Sequence, residues 1–189
     1  MSNEEYISPT LLDPAPRDYS EMAGKLARWV VVPLLALLVA IILVFYVFFS
    51  TAVVRGDSMT PTLLDGDYLL VTRVTPSLQR GDVIVTQVQE TKGQVELVKR
   101  VIGLPGDTVE IKSDVAYVNG VAEPSRGQFI LGAYSLSRAP VIVPPGSLYV
   151  LGDNRPISED SRYIGPVPIA GLKGHAVAVF APLRRIRPI

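Results

Sequence analysis

The 189-residue sequence contains no cysteine and a single histidine, His175. Without cysteine the chain has no disulfide bond, no thiolate nucleophile and no cysteine-based metal site. With one histidine, at the head of the last predicted strand, a Ser-His-Asp triad is not expected, and we interpret His175 as structural. Basic and acidic residues number 18 each, so the formal net charge is zero. Neither a nucleic-acid-binding surface nor an acidic, solvating chain is therefore indicated.

One apolar stretch stands out in a chain that is 48% hydrophobic. Residues 29–49 carry no charge, and about 20 apolar residues in a helix match the thickness of the bilayer core. We predict a transmembrane helix over residues 19–50, with Asp18 and Glu21 forming a capping box at its start. Residues 1–18 are polar and contain prolines, and they are predicted to form a disordered cytoplasmic tail.

The flanks of the apolar stretch predict its orientation. Lys25 and Arg28 precede it, and this bias places the amino terminus in the cytoplasm and the carboxyl domain outside. A cleaved signal peptide is the alternative, because residues 50–52 are small, as at a processing site. The apolar run is longer than a typical signal-peptide core and starts late, so we favour a retained anchor.

Beyond residue 51 the pattern changes to short β-rich runs separated by glycine, aspartate and asparagine turns. We expect residues 51–189 to form a mainly β domain, an antiparallel sheet with hardly any helix. The glycine- and proline-containing segment 119–145 is expected to be an irregular excursion from that sheet. The predicted strands span residues 67–74, 82–88, 95–102, 108–112, 115–118, 141–143, 147–151 and 176–180.

A serine lies on a constrained bend shortly after the apolar stretch, in the sequence GDSMTPTL at positions 56–63. Gly56 leaves the approach to Ser58 free of a side chain, while Pro61 fixes its own φ and favours extended geometry at Thr60. The Ser58 hydroxyl is thus open and rigidly held, as a nucleophile requires. Ordinary turn formation is the alternative explanation for a serine in such a bend.

A lysine in a predicted strand is a candidate base for that serine. Alternate strand residues share a face, so Lys99 lies with Val95, Leu97 and Val101, whereas Arg100 lies on the other face. Apolar neighbours lower a lysine pKa by disfavouring the ammonium form, and a neutral lysine can accept a serine proton. A lysine that merely extends its amine to solvent is the alternative.

A third stretch, GDNRPISEDSRYIGPV at positions 152–167, is dense in small polar and charged residues between β-rich runs. Because buried polar groups need partners, it predicts a tightly hydrogen-bonded loop, with a solvated loop as the alternative. Asp160 and Arg162 are candidates for an ion pair, and Ser158 is a candidate for orienting another side chain.

Together these stretches resemble those of the bacterial type I signal peptidases, membrane-anchored Ser-Lys endopeptidases that remove signal peptides from exported proteins. The resemblance covers the anchor and nearly all of the exterior domain. A single motif would be a weak match, whereas four in the family's order behind an apolar helix are specific. The motifs are GDSMTPTL at 56–63, DGDY at 65–68, KRVIGLPGD at 99–107, and GDNR at 152–155 with Ser158, Asp160, Ser161, Arg162 and Gly165.

The resemblance implies a role for each candidate. By it Ser58 is the nucleophile and Lys99 the general base. Ser158 is expected to hydrogen-bond the lysine amine, and the pair of Asp160 and Arg162 to brace the site.

The resemblance also implies how the oxyanion and the substrate are bound. Some relatives carry a serine two positions before the nucleophile as an oxyanion donor; here that position is Gly56, so the backbone N–H of Ser58 is expected to donate instead. Shallow apolar pockets are expected to accept small side chains at positions −1 and −3 from the cleaved bond. The expected pocket residues are Val54, Met59, Leu63 and Val98.

The expected partners are the signal peptides of exported preproteins and the lipid bilayer, with no nucleic acid, metal or cofactor. The protein is expected to be a monomer that crosses the bacterial cytoplasmic membrane once. Arg184, Arg185 and Arg187 are predicted to form a solvated basic tail rather than head-group contacts. Two other functions were weighed: a Ser-Lys self-cleaving repressor, which would need a helix-turn-helix in place of the anchor, and a non-catalytic membrane-tethered β binding module.

Overall fold

The computed structural model describes residues 19–74, 77–90, 93–124 and 136–189. The predicted tail 1–18, including the capping residue Asp18, lies outside the described residues. The chain divides into two compact units, Met1–Val44 and Phe45–Ile189.

The amino-terminal helix consists of α1 (Tyr19–Leu26), a wide π-helical turn (Ala27–Val31) and α2 (Val32–Phe48). The wide turn immediately precedes Pro33, whose ring would otherwise clash with the carbonyl four residues earlier. Met22–Phe48 is long and apolar enough to cross a membrane, with a mean hydropathy of 3.2 in its most apolar window. The helix ends two residues before the predicted end because the chain enters a strand at Phe49.

The described part of the second unit is mainly antiparallel β, as predicted. It contains one α-helix, α3 (Ser161–Ile164), and two 3₁₀ turns, Ile169–Gly171 and Leu183–Arg185. All eight predicted strands are confirmed, several with longer bounds. The strands are β1 (Phe49–Val53), β2 (Tyr68–Thr72), β3 (Val83–Glu90), β4 (Gly93–Gly103), β5 (Thr108–Lys112), β6 (Val115–Val118), β7 (Val121–Ala122), β8 (Arg138–Ile142), β9 (Ser147–Leu151), β10 (Val167–Pro168), β11 (Leu172–Ala181) and β12 (Arg187–Pro188).

The strands form two sheets. The larger has the order β1-β2-β11-β3-β4-β9-β10, with β12 paired to β11, and the smaller has the order β7-β6-β5-β8. The predicted excursion 119–145 is therefore not irregular throughout, because β8 lies within it and pairs with β5. Residues 50–52, considered above as a processing site, are built into β1 and pair with β2.

Three apolar clusters form the core of the β unit. One includes Ala52, Val54, Met59, Leu63 and other residues of β1, β2, β3 and β11. A second lies in the smaller sheet and the adjoining ends of β4 and β9, and a third lies between β3, β4, β9 and β10. The strand β4 contributes to the second and third clusters, so its side chains are held on both faces.

Asp107 joins several connections beside the carboxyl end of β4. Its carboxylate accepts hydrogen bonds from Arg80, from the Leu104 backbone N–H at 2.8 Å and from the Asn119 side chain at 2.9 Å. The hydrogen bonds from Arg80 are the main reason that the pKa of Asp107 falls to about 2. This ionised carboxylate therefore holds the β4–β5 turn to the segment before β3.

Replacing Asp107 by asparagine is expected to lower the free energy of unfolding at neutral pH by about 1–3 kcal/mol, because the donors on Arg80, Leu104 and Asn119 lose an ionised acceptor. The folded-state pKa is depressed, so the wild-type advantage is full above the unfolded pKa of about 4 and disappears as pH falls toward about 2. Urea unfolding of the full chain in detergent, followed by circular dichroism from pH 7 to pH 2, measures this.

The matched control is Glu110→Gln, which removes a carboxylate from a pair with Lys112, a side chain 58% exposed. Such surface pairs contribute little to stability. A difference between Asp107→Asn and wild type that stayed constant down to pH 2 would contradict the assigned role of the Asp107 charge.

Candidate active site

Ser58 lies on a loop, residues 56–67, that connects β1 to β2 (the Ser58 loop). Gly56 has a φ of +75°, a region that favours glycine, and its N–H donates to the Asp65 carboxylate at 2.7 Å. The next residue, Met59, is fully buried, and its carbonyl accepts the Leu63 N–H at 2.9 Å. The loop is therefore anchored by apolar side chains, while Ser58 itself is half-buried.

The structure brings the two candidate catalytic residues together. Lys99 Nζ lies 2.8 Å from Ser58 Oγ, within hydrogen-bonding distance. Lys99 stands in β4 directly opposite Ile84 of β3, so both side chains lie on the same face of the sheet. The strand pattern predicted the face of Lys99 and made it a candidate base for Ser58, and the resemblance favoured that pairing over a lysine that extends to solvent.

Burial governs the state of the lysine. Lys99 is 3% exposed, and the loss of hydration lowers the pKa of its amine below the ordinary value. The negative charge of Asp160 opposes this shift and the positive charge of Arg162 reinforces it. The net direction is downward, so a neutral Lys99 can accept a proton from the adjacent hydroxyl.

Asn154, in the loop after β9, holds the Ser58 loop through two hydrogen bonds. The Asn154 backbone N–H donates to the Ser58 carbonyl at 2.9 Å, and its side-chain amide donates to the Asp57 carbonyl at 3.1 Å. Gly152 makes this approach possible, since a Cβ there would lie 2.5 Å from the Ser58 carbonyl oxygen and closer still to the Ser158 hydroxyl. Only glycine fits this position without displacing one of the two serines.

The predicted pair of Asp160 and Arg162 is formed, with Arg162 Nε 2.8 Å from the Asp160 carboxylate. Asp160 caps α3 by accepting the Arg162 backbone N–H, and it also accepts the Gly152 N–H at 3.0 Å. Arg162 donates in turn to the backbone carbonyls of Arg155 and Ser158. The pair thus fixes the loop that carries Gly152 and Ser158.

Ser158 does not make the predicted hydrogen bond. Its hydroxyl is buried and, within the part of the chain that the structure describes, has no hydrogen-bond partner. The amine of Lys99 instead contacts Ser58. Ser158 nevertheless lies near the Ser58 carbonyl, because a Cβ added at position 152 would meet both the Ser158 side chain and that carbonyl oxygen.

Sequence reasoning missed a second buried ion pair next to the lysine. Arg100 donates to Asp153 through two hydrogen bonds of 2.8 Å and 2.6 Å, and both side chains are 2–3% exposed. This pair joins β4, which carries Lys99, to the loop that carries Asn154. The only signal for it in the sequence was the alternation that directs Arg100 away from the Lys99 face.

A groove of about 840 Å³ passes the Ser58–Lys99 pair. On one side it is lined by β1 and the residues after it, and on the other by β4 residues 94–99, with Ile157 and Glu159 from the loop after β9. Of the predicted pocket residues, Val54, Met59 and Val98 line this groove. Leu63 does not: it is fully buried in the core cluster behind Met59.

The groove has an unpaired strand edge on each side. Within the described residues β1 pairs only with β2, and the amino-terminal half of β4 pairs only with β3, since β9 begins to pair with β4 at Arg100. Backbone groups on both edges are therefore available to an extended chain.

His175 lies in β11 with its ring nitrogen 3.7 Å from the Asp82 carboxylate, and it does not line the groove. In the residues that the structure describes, no group of three histidine, aspartate or glutamate side chains could hold a metal ion.

Comparisons with known proteins agree on one family. The family model described as "Signal peptidase, peptidase S26" matches residues 26–181. Signal peptidase I of Bacillus licheniformis is 37% identical over 176 residues, covering 87% of this chain and 93% of the relative. Signal peptidase IB of Staphylococcus aureus is 32% identical over 188 residues, covering 88% and 95%.

Among solved structures, a signal peptidase I from Enterococcus faecalis is 35% identical, with a TM-score of 0.45, and covers 54% of this chain and 98% of its own. The family match extends from the apolar helix to the end of β11 and includes all three stretches singled out in the sequence. The chain belongs to the signal peptidase family, peptidase S26.

Proposed function

We propose that this protein is a membrane-anchored signal peptidase I, a serine endopeptidase that cleaves signal peptides from exported preproteins with a Ser58–Lys99 dyad. The observation that carries the proposal is the 2.8 Å separation between Ser58 Oγ and the buried amine of Lys99. Burying a lysine is energetically unfavourable, but a buried lysine with a lowered pKa can accept the proton of an adjacent serine and so activate that serine as a nucleophile.

The reaction has two halves. Ser58 Oγ attacks the scissile carbonyl carbon while neutral Lys99 accepts the hydroxyl proton, and the tetrahedral intermediate collapses as Lys99 returns that proton to the leaving amine. Lys99, neutral again, then takes a proton from water as the water oxygen attacks the acyl-enzyme ester. Collapse of this second intermediate breaks the ester bond as Lys99 returns the proton to Ser58 Oγ, and the carboxylic acid released then loses its own proton to solvent.

The backbone N–H of Ser58 is the proposed donor to the oxyanion of the tetrahedral intermediate. Within the described chain the Ser58 N–H donates to no acceptor, so it is available to an oxyanion formed at the attacked carbonyl. Each such preorganised donor contributes about 3–4 kcal/mol to lowering the barrier. Asn154 fixes the Ser58 carbonyl and thereby the direction of the neighbouring amides.

The groove fits an extended peptide. A substrate strand between β1 and β4 could hydrogen-bond to both free edges, and its alternate side chains would point to the same side. Positions −1 and −3 would then both face the apolar wall of Val54, Met59 and Val98. Small side chains at these positions, the Ala-x-Ala pattern, follow from shallow pockets.

The anchor supports the same function. The apolar helix makes this a membrane-anchored protein, and Lys25 and Arg28 favour a cytoplasmic amino terminus in the bacterial cytoplasmic membrane. A single span would leave the β unit outside, as a monomer on the lipid surface. Confining enzyme and signal peptide to one surface raises their effective concentration.

The first test is cleavage of a preprotein with an Ala-x-Ala site by the full chain in detergent. Ser58→Ala and Lys99→Ala are each expected to reduce kcat by at least about 10³-fold, because each removes a reacting group. Ser77→Ala and Lys173→Ala change the same residue types at exposed positions and are expected to remain active. An active Lys99→Ala variant would refute the assignment of Lys99 as the general base. An inactive wild-type protein would favour the alternative of a non-catalytic binding module.

The pH profile tests the protonation state of the lysine. Because burial lowers the pKa of Lys99, activity is expected to rise as pH increases through that lowered value and to be lost below it, where the amine is protonated. The acidic limb of kcat/KM should therefore lie well below the pKa of about 10.4 of an exposed lysine. A rate that stays flat into the acidic range would contradict a neutral lysine.

A third test addresses the close approach at Gly152. Gly152→Ala is expected to reduce kcat by about 10²-fold, because its methyl group would displace Ser58 or Ser158. Ala116→Gly, a buried change of the same size in the smaller sheet, controls for lost stability. Wild-type kcat in a folded Gly152→Ala variant would show that the two serines tolerate displacement.

A further inference from the structure

Residues 185–189 contact the Ser58 loop at points that the reaction scheme above does not use. This segment includes β12, which pairs with β11 through Arg187 and Pro188. Arg185 ends a 3₁₀ turn (Leu183–Arg185), and Arg185, Arg187 and Ile189 each contact the loop or the apolar cluster that contains Met59 and Leu63.

The first contact is a two-point ion pair. Arg185 donates to the Asp67 carboxylate at 2.8 Å and 2.9 Å, and the Asp67 side chain is 1% exposed. Asp67 also accepts the Leu64 N–H through its side chain and the Val54 N–H through its carbonyl. It therefore ties together the chain before and after Ser58, at the base of the loop.

Burial alone would raise the pKa of Asp67, but the hydrogen bonds from Arg185 and the Leu64 amide outweigh it and lower that pKa. The carboxylate is thus kept ionised by its partners. A buried carboxylate that lost Arg185 would be left poorly compensated, and the loop base would have to rearrange.

The second and third contacts lie higher on the loop. Arg187 donates to the Thr62 carbonyl. Ile189 packs against the cluster that contains Met59 and Leu63, and its N–H donates to the Val177 carbonyl at 3.1 Å. The Ser58 loop is therefore held by residues 185–189 as well as by Asn154.

We propose that Arg185 and Arg187 are positioning residues, which hold the Ser58 loop so that the hydroxyl stays beside Lys99. This inference rests on the proposed peptidase function. The expectation of a solvated basic tail is thereby corrected for Arg185, which is partly buried against Asp67; Arg187 and Arg184 are both exposed, but Arg187 donates to the Thr62 carbonyl.

Two consequences distinguish positioning from simple stabilisation. A displaced Ser58 lowers kcat with little change in KM, because the β1 and β4 edges that bind substrate are untouched. A looser loop also admits water to Lys99, so the pKa of the amine rises toward its ordinary value and the acidic limb of the rate moves to higher pH. The charged groups that face Lys99, Glu159, Asp160 and Arg162, are the same in every variant.

The experiment uses the full chain in detergent with four variants: Arg185→Ala, Arg187→Ala, Arg185→Lys and the control Arg184→Ala. For each, kcat, KM, the pH profile of cleavage and the thermal unfolding midpoint are measured. Arg185→Ala is expected to lower kcat by about tenfold or more, with KM within about twofold and the acidic limb shifted upward. Arg185→Lys is expected to restore part of the loss, and Arg184→Ala to match wild type.

Arg187→Ala keeps the ion pair at the loop base, so it provides a test should Arg185→Ala not fold. Arg187→Ala is expected to lower kcat severalfold and to shift the acidic limb of the pH–rate profile to higher pH, as Arg185→Ala does. Equal kcat values for Arg184→Ala, Arg185→Ala and Arg187→Ala would overturn the inference. It would also be overturned if kcat fell only in proportion to the folded fraction, with the acidic limb of the pH–rate profile unchanged. Failure of both variants to fold would also overturn it, whereas an inactive wild type would refute the proposed function itself.

Discussion

The proposed active site depends on keeping the Lys99 amine away from water and next to the Ser58 hydroxyl. Lys99 is 3% exposed, and its amine is 2.8 Å from Ser58 Oγ. An ammonium group in such a place loses much of its hydration, so burial lowers the pKa of Lys99 and shifts the equilibrium towards the neutral amine, the form that can accept a proton. The shelter comes from β3 and from the packed face of β4, and the opposite face of β4 is fixed by the Arg100–Asp153 pair. The lysine therefore stands on a strand whose orientation is held from both sides.

Burial is the largest influence on the pKa of Lys99, while exposed Glu159 and buried Asp160 both favour the ammonium form. Asp160 by itself would favour the ammonium form, but it is bound by Arg162, whose charge has the opposite effect on Lys99. Asp153 is paired with Arg100 in the same way. Buried ion pairs add little net stability, since the cost of dehydrating both partners offsets their attraction. Here the pairs fix the loop that carries Gly152 and Asn154 against the Ser58 loop, without adding an uncompensated charge.

The sequence predicted the repeating elements and not the contacts between distant segments. Alternation identified the strands and the buried face of Lys99, because side-chain periodicity is a local property. The strand β1 was missed because Phe49–Val53 continues the apolar run without a turn signal, and β12 was missed because it is two residues long and contains proline. The Ser58–Lys99 contact, the Arg100–Asp153 pair and the Arg185–Asp67 pair join segments far apart in the chain. Only the first was expected: the strand pattern made Lys99 a candidate base, and the resemblance favoured it over a lysine that extends to solvent. The Ser158–Lys99 hydrogen bond that the resemblance implied is absent in the described structure.

The Ser58 hydroxyl must be held in a fixed position, whereas the groove beside it needs strand edges that are free to bind an extended chain. The groove needs free backbone edges on β1 and β4, and free edges are the least constrained parts of a sheet. Ser58 follows directly from the free edge of β1, so its rigidity cannot come from strand pairing on that side. It comes from contacts away from the groove: Met59 in the core, Asn154 on the Ser58 carbonyl, and Arg185 on Asp67 at the loop base. The groove can therefore stay open to an extended chain while the serine beside it is held in place.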